Sequence, residues 1–134
     1  MKLAFAWAPA VLYMALIWVL SSMELSEISV DEFPLRDKGV HMVEYGVLGF
    51  LVAHAALRTW PRRPPWRTFS VAVWITVLWG LLDEVHQAFV PGRSSEVLDL
   101  VADSLGALGG AGARHAIALA ARITAPRAAE ESRR

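Results

Sequence analysis

The sequence contains no cysteine, which excludes disulfide frameworks and thiolate metal sites. Charge is scarce as well. Only 19% of the 134 residues are charged and 55% are hydrophobic, too apolar a balance for an ordinary soluble surface. Formal net charge is zero, which argues against bulk binding to nucleic acid. The chain has no HExxH helix, phosphate-binding P-loop or GxSxG elbow, so none of these familiar catalytic motifs identifies an enzyme.

What is present is long apolar segments. A helix crossing a bilayer core needs about 20 apolar residues. LAFAWAPAVLYMALIWVLSS, from Leu3 to Ser22, meets this with no charge inside. It is too long for the apolar region of a signal peptide, and no small-x-small cleavage site follows, so it reads as a retained first span. Three further spans are expected at about 38–58, 68–89 and 95–115, joined by 23–36, by TWPRRPPWR and by a tight Pro91-Gly92 turn. The expected fold is all-α: an integral membrane four-helix bundle over residues 1–121, followed by a disordered cytoplasmic tail at 122–134. Ten of the thirteen positive residues fall on the side of the termini and the Arg58–Arg67 loop; only Arg36, Lys38 and Arg93 fall on the other. The positive-inside rule then makes both termini cytoplasmic. Trp60 and Trp66 flank the basic loop as interfacial aromatics do. Eleven of the thirteen acidic residues lie on the outer half.

Residues at i, i+3, i+4 and i+7 share a helix face. Asp37, His41 and Glu44 share one in the second span. Thr76, Gly80, Asp83 and Gln87 share one in the third, with Glu84 beside it. Glu96, Asp99 and Asp103 line up in the fourth, and Ala102, Gly106 and Gly110 continue that stripe. Small residues spaced by four let membrane helices approach closely. The acidic stripe therefore faces the bundle interior, and the charges line a shared polar pocket opening outward. An ionised group at mid-bilayer costs about 2.5–3.5 kcal/mol on insertion scales, less near the interface. Glu44 and Asp103, about two turns in, need partners among Lys38, Arg93, His41 and Gln87. Plainer readings stand beside these. Asp37 and Glu96 also suit helix starts, Ser94 or Ser95 suits an N-cap, and His54 and His115 suit the cytoplasmic interface. The polar cluster also has a plainer reading, a self-satisfied network that holds helices together, though charge converging at one depth from three helices is costly for ordinary packing.

DKGVHMVEYGVLGFL, DEVHQAFVPGR and DLVADSLGALGG together resemble the VanZ-like family of small bacterial membrane proteins, named for a member associated with low-level resistance to the glycopeptide teicoplanin. The resemblance covers about residues 37–110. It matches the family pattern at Asp37, Lys38, His41 and Tyr45; at Asp83, Glu84 and Gln87; at Arg93; and at Asp99, Asp103 and Gly106. Met42 stands where the family often has an aromatic. The resemblance implies a role in the cell envelope. On the residues, the expected ligand is a lipid-linked or anionic headgroup at the outer leaflet, such as a cell-wall lipid intermediate. Lys38 and Arg93 would hold phosphate, His41 and Glu44 are the acid/base candidates, and the carboxylates can hold a divalent ion. No particular metal or cofactor is indicated. The alternative is a non-enzymatic structural or interaction subunit with a partner membrane protein. A proton or ion pathway fits less well, because the cytoplasmic halves of the spans lack interior ionisable residues.

Overall fold

A computed structural model describes residues 2–23, 34–93 and 95–131, with side chains described for 3–23, 38–93 and 95–123. The candidate Asp37 and the neighbouring Arg36 lie on a helix whose side chains there fall outside the described residues, as do Ser94 and most of the first loop. The described chain is all-helical: α1 (Lys2–Ser21), α2 (Pro34–Thr59), α3 (Pro65–Gln87) and α4 (Val97–Glu131). α3 begins after Pro64 with a proline in its first turn, where the missing N–H is not needed.

α4 differs from expectation. It does not stop near residue 115 but continues to Glu131, so the segment from residue 122 is helical in its backbone instead of a disordered tail. AIALAARITAPRAAEE supplies the reason: alanine has the highest helix propensity, and its repetition carries the helix past Pro126.

The helices alternate in direction. Trp7 near the start of α1 donates to Thr59 at the end of α2 (2.8 Å). His41 meets Asp103 near the heads of α2 and α4, and Arg114 meets His54 further along both, so these two run parallel. α2 is the central element and shares its largest interface with α4. α1 is peripheral: 11% of its most apolar stretch is buried, against 44% for α2.

Among the described residues, three helices are long and apolar enough to cross a membrane: α1, α2 from Lys38, and α3. α4 has the length, but Asp99, Asp103 and its glycines dilute its apolar character. Large apolar side chains point outward on every helix, among them Phe5 (73% exposed), Val43, Trp74 and Ile117, and Phe89 (82% exposed) does so in the turn after α3. In water such a surface would aggregate; in a bilayer it is the lipid-facing side. The core is made of small and medium residues, including Ala10, Ile17, Leu48, Val52, Ala53, Ala72 and Ala111 around Tyr45.

Those small residues let backbones touch. A Cβ on Gly106 would strike the Met42 carbonyl, and one on Gly110 would strike the Gly46 carbonyl. From the other side, a Cβ on Gly49 would lie 2.7 Å from the Ala107 carbonyl oxygen. The Ala102–Gly106–Gly110 stripe thus packs on a matching small-residue surface of α2. Gly109 and Gly112, on the far side of α4, meet nothing. Gly110→Ala is therefore expected to lower thermal stability in mild detergent by about 1–3 kcal/mol, as overpacking does. Gly109→Ala should leave it unchanged or raise it, since alanine favours helix over glycine by about 1 kcal/mol. Equal effects of the two would show that this face does not carry the contact.

Candidate functional site

The buried residues of α3 form one stripe: Thr68, Ala72, Thr76, Gly80, Asp83, Glu84 and Gln87. Of its last three, Glu84 meets the head of α4, and Asp83 pairs with Gln87 and with Ser21 of α1. His41, Asp83, Glu84, Gln87, Asp99 and Asp103 are all buried, so the charged residues form a packed cluster at one end of the bundle. Its rim is Lys38, which pairs with Asp99 and with the exposed Glu96 (2.8 Å). One turn below, His41 Nδ1 meets Asp103 Oδ1 at 3.0 Å. A carboxylate on one imidazole nitrogen fixes the ring's orientation and tautomer. Tyr45 stacks parallel to His41 beneath it, with centroids 6.4 Å apart. Gly80 leaves the room for this: a Cβ there would lie 3.0 Å from Asp103 Oδ2 and 3.1 Å from the Tyr45 ring.

Glu84 works across helices. Its Oε2 accepts from Ser95 Oγ and from the Glu96 backbone N–H, both at 3.0 Å. A carboxylate from α3 therefore sits at the positive end of the α4 dipole. This corrects the N-cap reading of Ser95, whose hydroxyl turns to Glu84. Asp83 faces the other way and accepts from Ser21 of α1 and from Gln87 Nε2 (2.8 Å). Glu44 is half-buried and makes no hydrogen bond among the described residues.

Arg93 departs from the sequence reading. Val90-Pro91-Gly92-Arg93 closes a turn through Arg93 N–H to Val90 O (3.2 Å), with Gly92 at φ +77° where only glycine sits without strain. The turn sends the guanidinium onto the end of α1. There Nη2 donates to Leu20 O (2.9 Å) and Nε to Met23 O (3.3 Å). These carbonyls belong to the last turn of α1 and the residues just past it, where a cation is favoured.

The end of α1 also carries site residues that sequence reasoning missed. Ser22 Oγ meets His86 Nε2 at 2.8 Å, and His86 stacks on Trp18 with centroids 4.1 Å apart. The available signal was two serines closing an otherwise apolar span. At the opposite end, His54 and His115 tie helices together through Arg114 (3.2 Å) and Thr68 (3.0 Å).

Not every polar atom of the cluster is satisfied. Among the described residues, Glu84 Oε1, Asp103 Oδ2 and the Tyr45 hydroxyl are buried without a hydrogen-bond partner. His41, Glu84 and Asp99 each bring one ligand-type atom to within 4.8 Å of the other two.

The family whose sequence model matches this arrangement is VanZ/LLP1, over residues 5–118. The chain belongs to the VanZ/LLP1 family. The match takes in α2 and α3 whole, parts of α1 and α4, and every residue of the cluster. The family is linked to teicoplanin resistance, and with three apolar helices of spanning length the chain is a membrane protein. No curated protein and no solved structure matches it.

Arg93 is expected to brace α1, not to neutralise the carboxylates. Arg93→Ala should lower stability by about 1 kcal/mol, the scale of partly exposed hydrogen bonds. Asp99→Asn in the same chain should not restore it. Restoration in a thermal melt of the double variant would place the guanidinium over the acidic cluster.

Proposed function

We propose that this chain is a multi-pass protein of the bacterial cytoplasmic membrane whose polar end faces outward and binds a lipid-linked headgroup at the outer leaflet. One observation carries the reading: a network built only to hold helices together would satisfy its own buried groups, yet Glu84 Oε1, Asp103 Oδ2 and Tyr45 OH lack partners. An unsatisfied buried polar atom costs about 1–3 kcal/mol, which a scaffold has no reason to retain. α4 follows α2 through the same layer and makes the fourth crossing, and the Lys/Arg bias sets the termini on the cytoplasmic side.

Lys38 stands at the rim as the cation a phosphate would meet first, held ready by Glu96 and Asp99. A phosphate-bearing polyprenyl headgroup, as in cell-wall lipid intermediates, matches this depth and charge, and sequestering it would alter teicoplanin susceptibility. The oriented His41–Asp103 pair resembles the base-and-orienter half of a catalytic site, but among the described residues no nucleophile stands beside it, so binding is the function the geometry favours.

The competing reading, a scaffold network, makes a different prediction. Native mass spectrometry of the full chain released from detergent should show a retained polyprenyl diphosphate lipid. Lys38→Met should weaken that retention at least about tenfold, a loss of about 1.4 kcal/mol. No retention, or retention indifferent to Lys38, would leave the network as structure alone.

A further inference from the structure

Among the described residues the cluster is out of electrical balance. Asp83, Glu84, Asp99 and Asp103 are four buried carboxylates. Lys38 offsets one, and a protonated His41 a second. Arg93 is turned to the backbone of α1. The remaining negative charge lies in a low-dielectric interior, where an uncompensated ion is costly. We propose that His41, Glu84 and Asp99 bind a divalent first-row transition metal of the zinc class, with Asp103 orienting the histidine.

The geometry suits such an ion. Zinc sits about 2.0–2.2 Å from nitrogen and oxygen ligands, so it holds them roughly 3–4 Å apart. The three ligand atoms already lie within 4.8 Å of one another, each from a different helix, and need only a small contraction. Glu84, 4% exposed, keeps Oε1 buried and unpartnered while Oε2 serves Ser95 and Glu96. A ligating histidine commonly gives its other ring nitrogen to a carboxylate, and Asp103 meets His41 Nδ1 in that way, which assigns Nε2 to the metal. An imidazole with two carboxylates selects the zinc class over magnesium or calcium, which prefer oxygen alone. Lys38, displaced from Asp99 by the ion, retains Glu96. Three protein ligands leave a position open toward the rim, where a phosphate oxygen or water would bind. The metal site does not depend on lipid binding, though it would strengthen it.

The test uses the full chain in a lipid-free neutral detergent, stripped with chelator and titrated with Co2+ as a spectroscopic probe and with Zn2+. The wild-type chain should take up about one equivalent of Co2+ with visible d–d absorption, and Zn2+ should raise the melting midpoint while Mg2+ does not. Glu84→Gln and Asp99→Asn should each lower metal affinity at least about tenfold. Asp83→Asn, which removes an equal charge from a residue paired with Ser21 and Gln87, should retain the metal. Absence of the Co2+ bands and of any Zn2+ stabilisation in the wild-type chain would overturn the proposal, even if the ligand variants fail to fold. Equal loss in Asp83→Asn and Glu84→Gln would also overturn it, leaving only diffuse charge. Because no lipid is present, failure of lipid binding leaves these outcomes unaffected.

Discussion

The constraint on which this structure rests is the touching of two backbones. Gly106 and Gly110 of α4 lie against the carbonyls of Met42 and Gly46, and Gly49 returns the contact against Ala107. No side chain fits between them. That closeness fixes the register of α2 on α4, and the register fixes the chemistry: Lys38 falls beside Asp99 and His41 beside Asp103. One turn of slippage, about 5.4 Å, would break both pairs. α3 then completes the cluster because Gly80 lets Asp103 and Tyr45 come close, and Glu84 reaches across to the head of α4.

Much of this was legible in the sequence. Apolar length gave the helices, and a spacing of three to four residues placed Asp83 and Gln87 on one face and Asp99, Asp103 and Gly106 on another; the structure buries them all. Periodicity identifies a face without naming the face opposite, so the partner surface at Gly46 and Gly49 went unread. The contact of Arg93 with α1 went unread because nearby carboxylates and an outer-leaflet phosphate are easy to infer as its partners, whereas a turn that brings a side chain to carbonyls of another helix depends on tertiary placement. Ser21, Ser22 and His86 were overlooked for a similar reason. A neutral polar pair at the end of an apolar span carries no periodic signal, and only the neighbouring α3 shows its use. The continuation of α4 was hidden by polar composition, which outweighed alanine propensity in the reading of residues 122–131.

The two ends of the bundle differ in kind. At one, His54 with Arg114 and Thr68 with His115 are pairs between helices, one partner for another. At the other, among the described residues, carboxylates outnumber cations and buried oxygens remain unpartnered. A membrane protein that keeps ionisable groups inside has a use for them, since the bilayer penalises them more heavily than water does. The VanZ/LLP1 family, to which the chain belongs, is linked to teicoplanin resistance.

The most direct measurement of the central claim is a double-mutant cycle on Lys38 and Asp99, the ion pair that the α2–α4 contact brings into register. Thermal unfolding of Lys38→Met, Asp99→Asn and the double variant, in the same detergent, isolates their interaction. Residues in contact couple by about 0.5–3 kcal/mol, and the account predicts at least about 1 kcal/mol here, with the double variant less destabilised than the sum of the singles. Effects that add to within about 0.3–0.5 kcal/mol would contradict it, because the two side chains would then not meet.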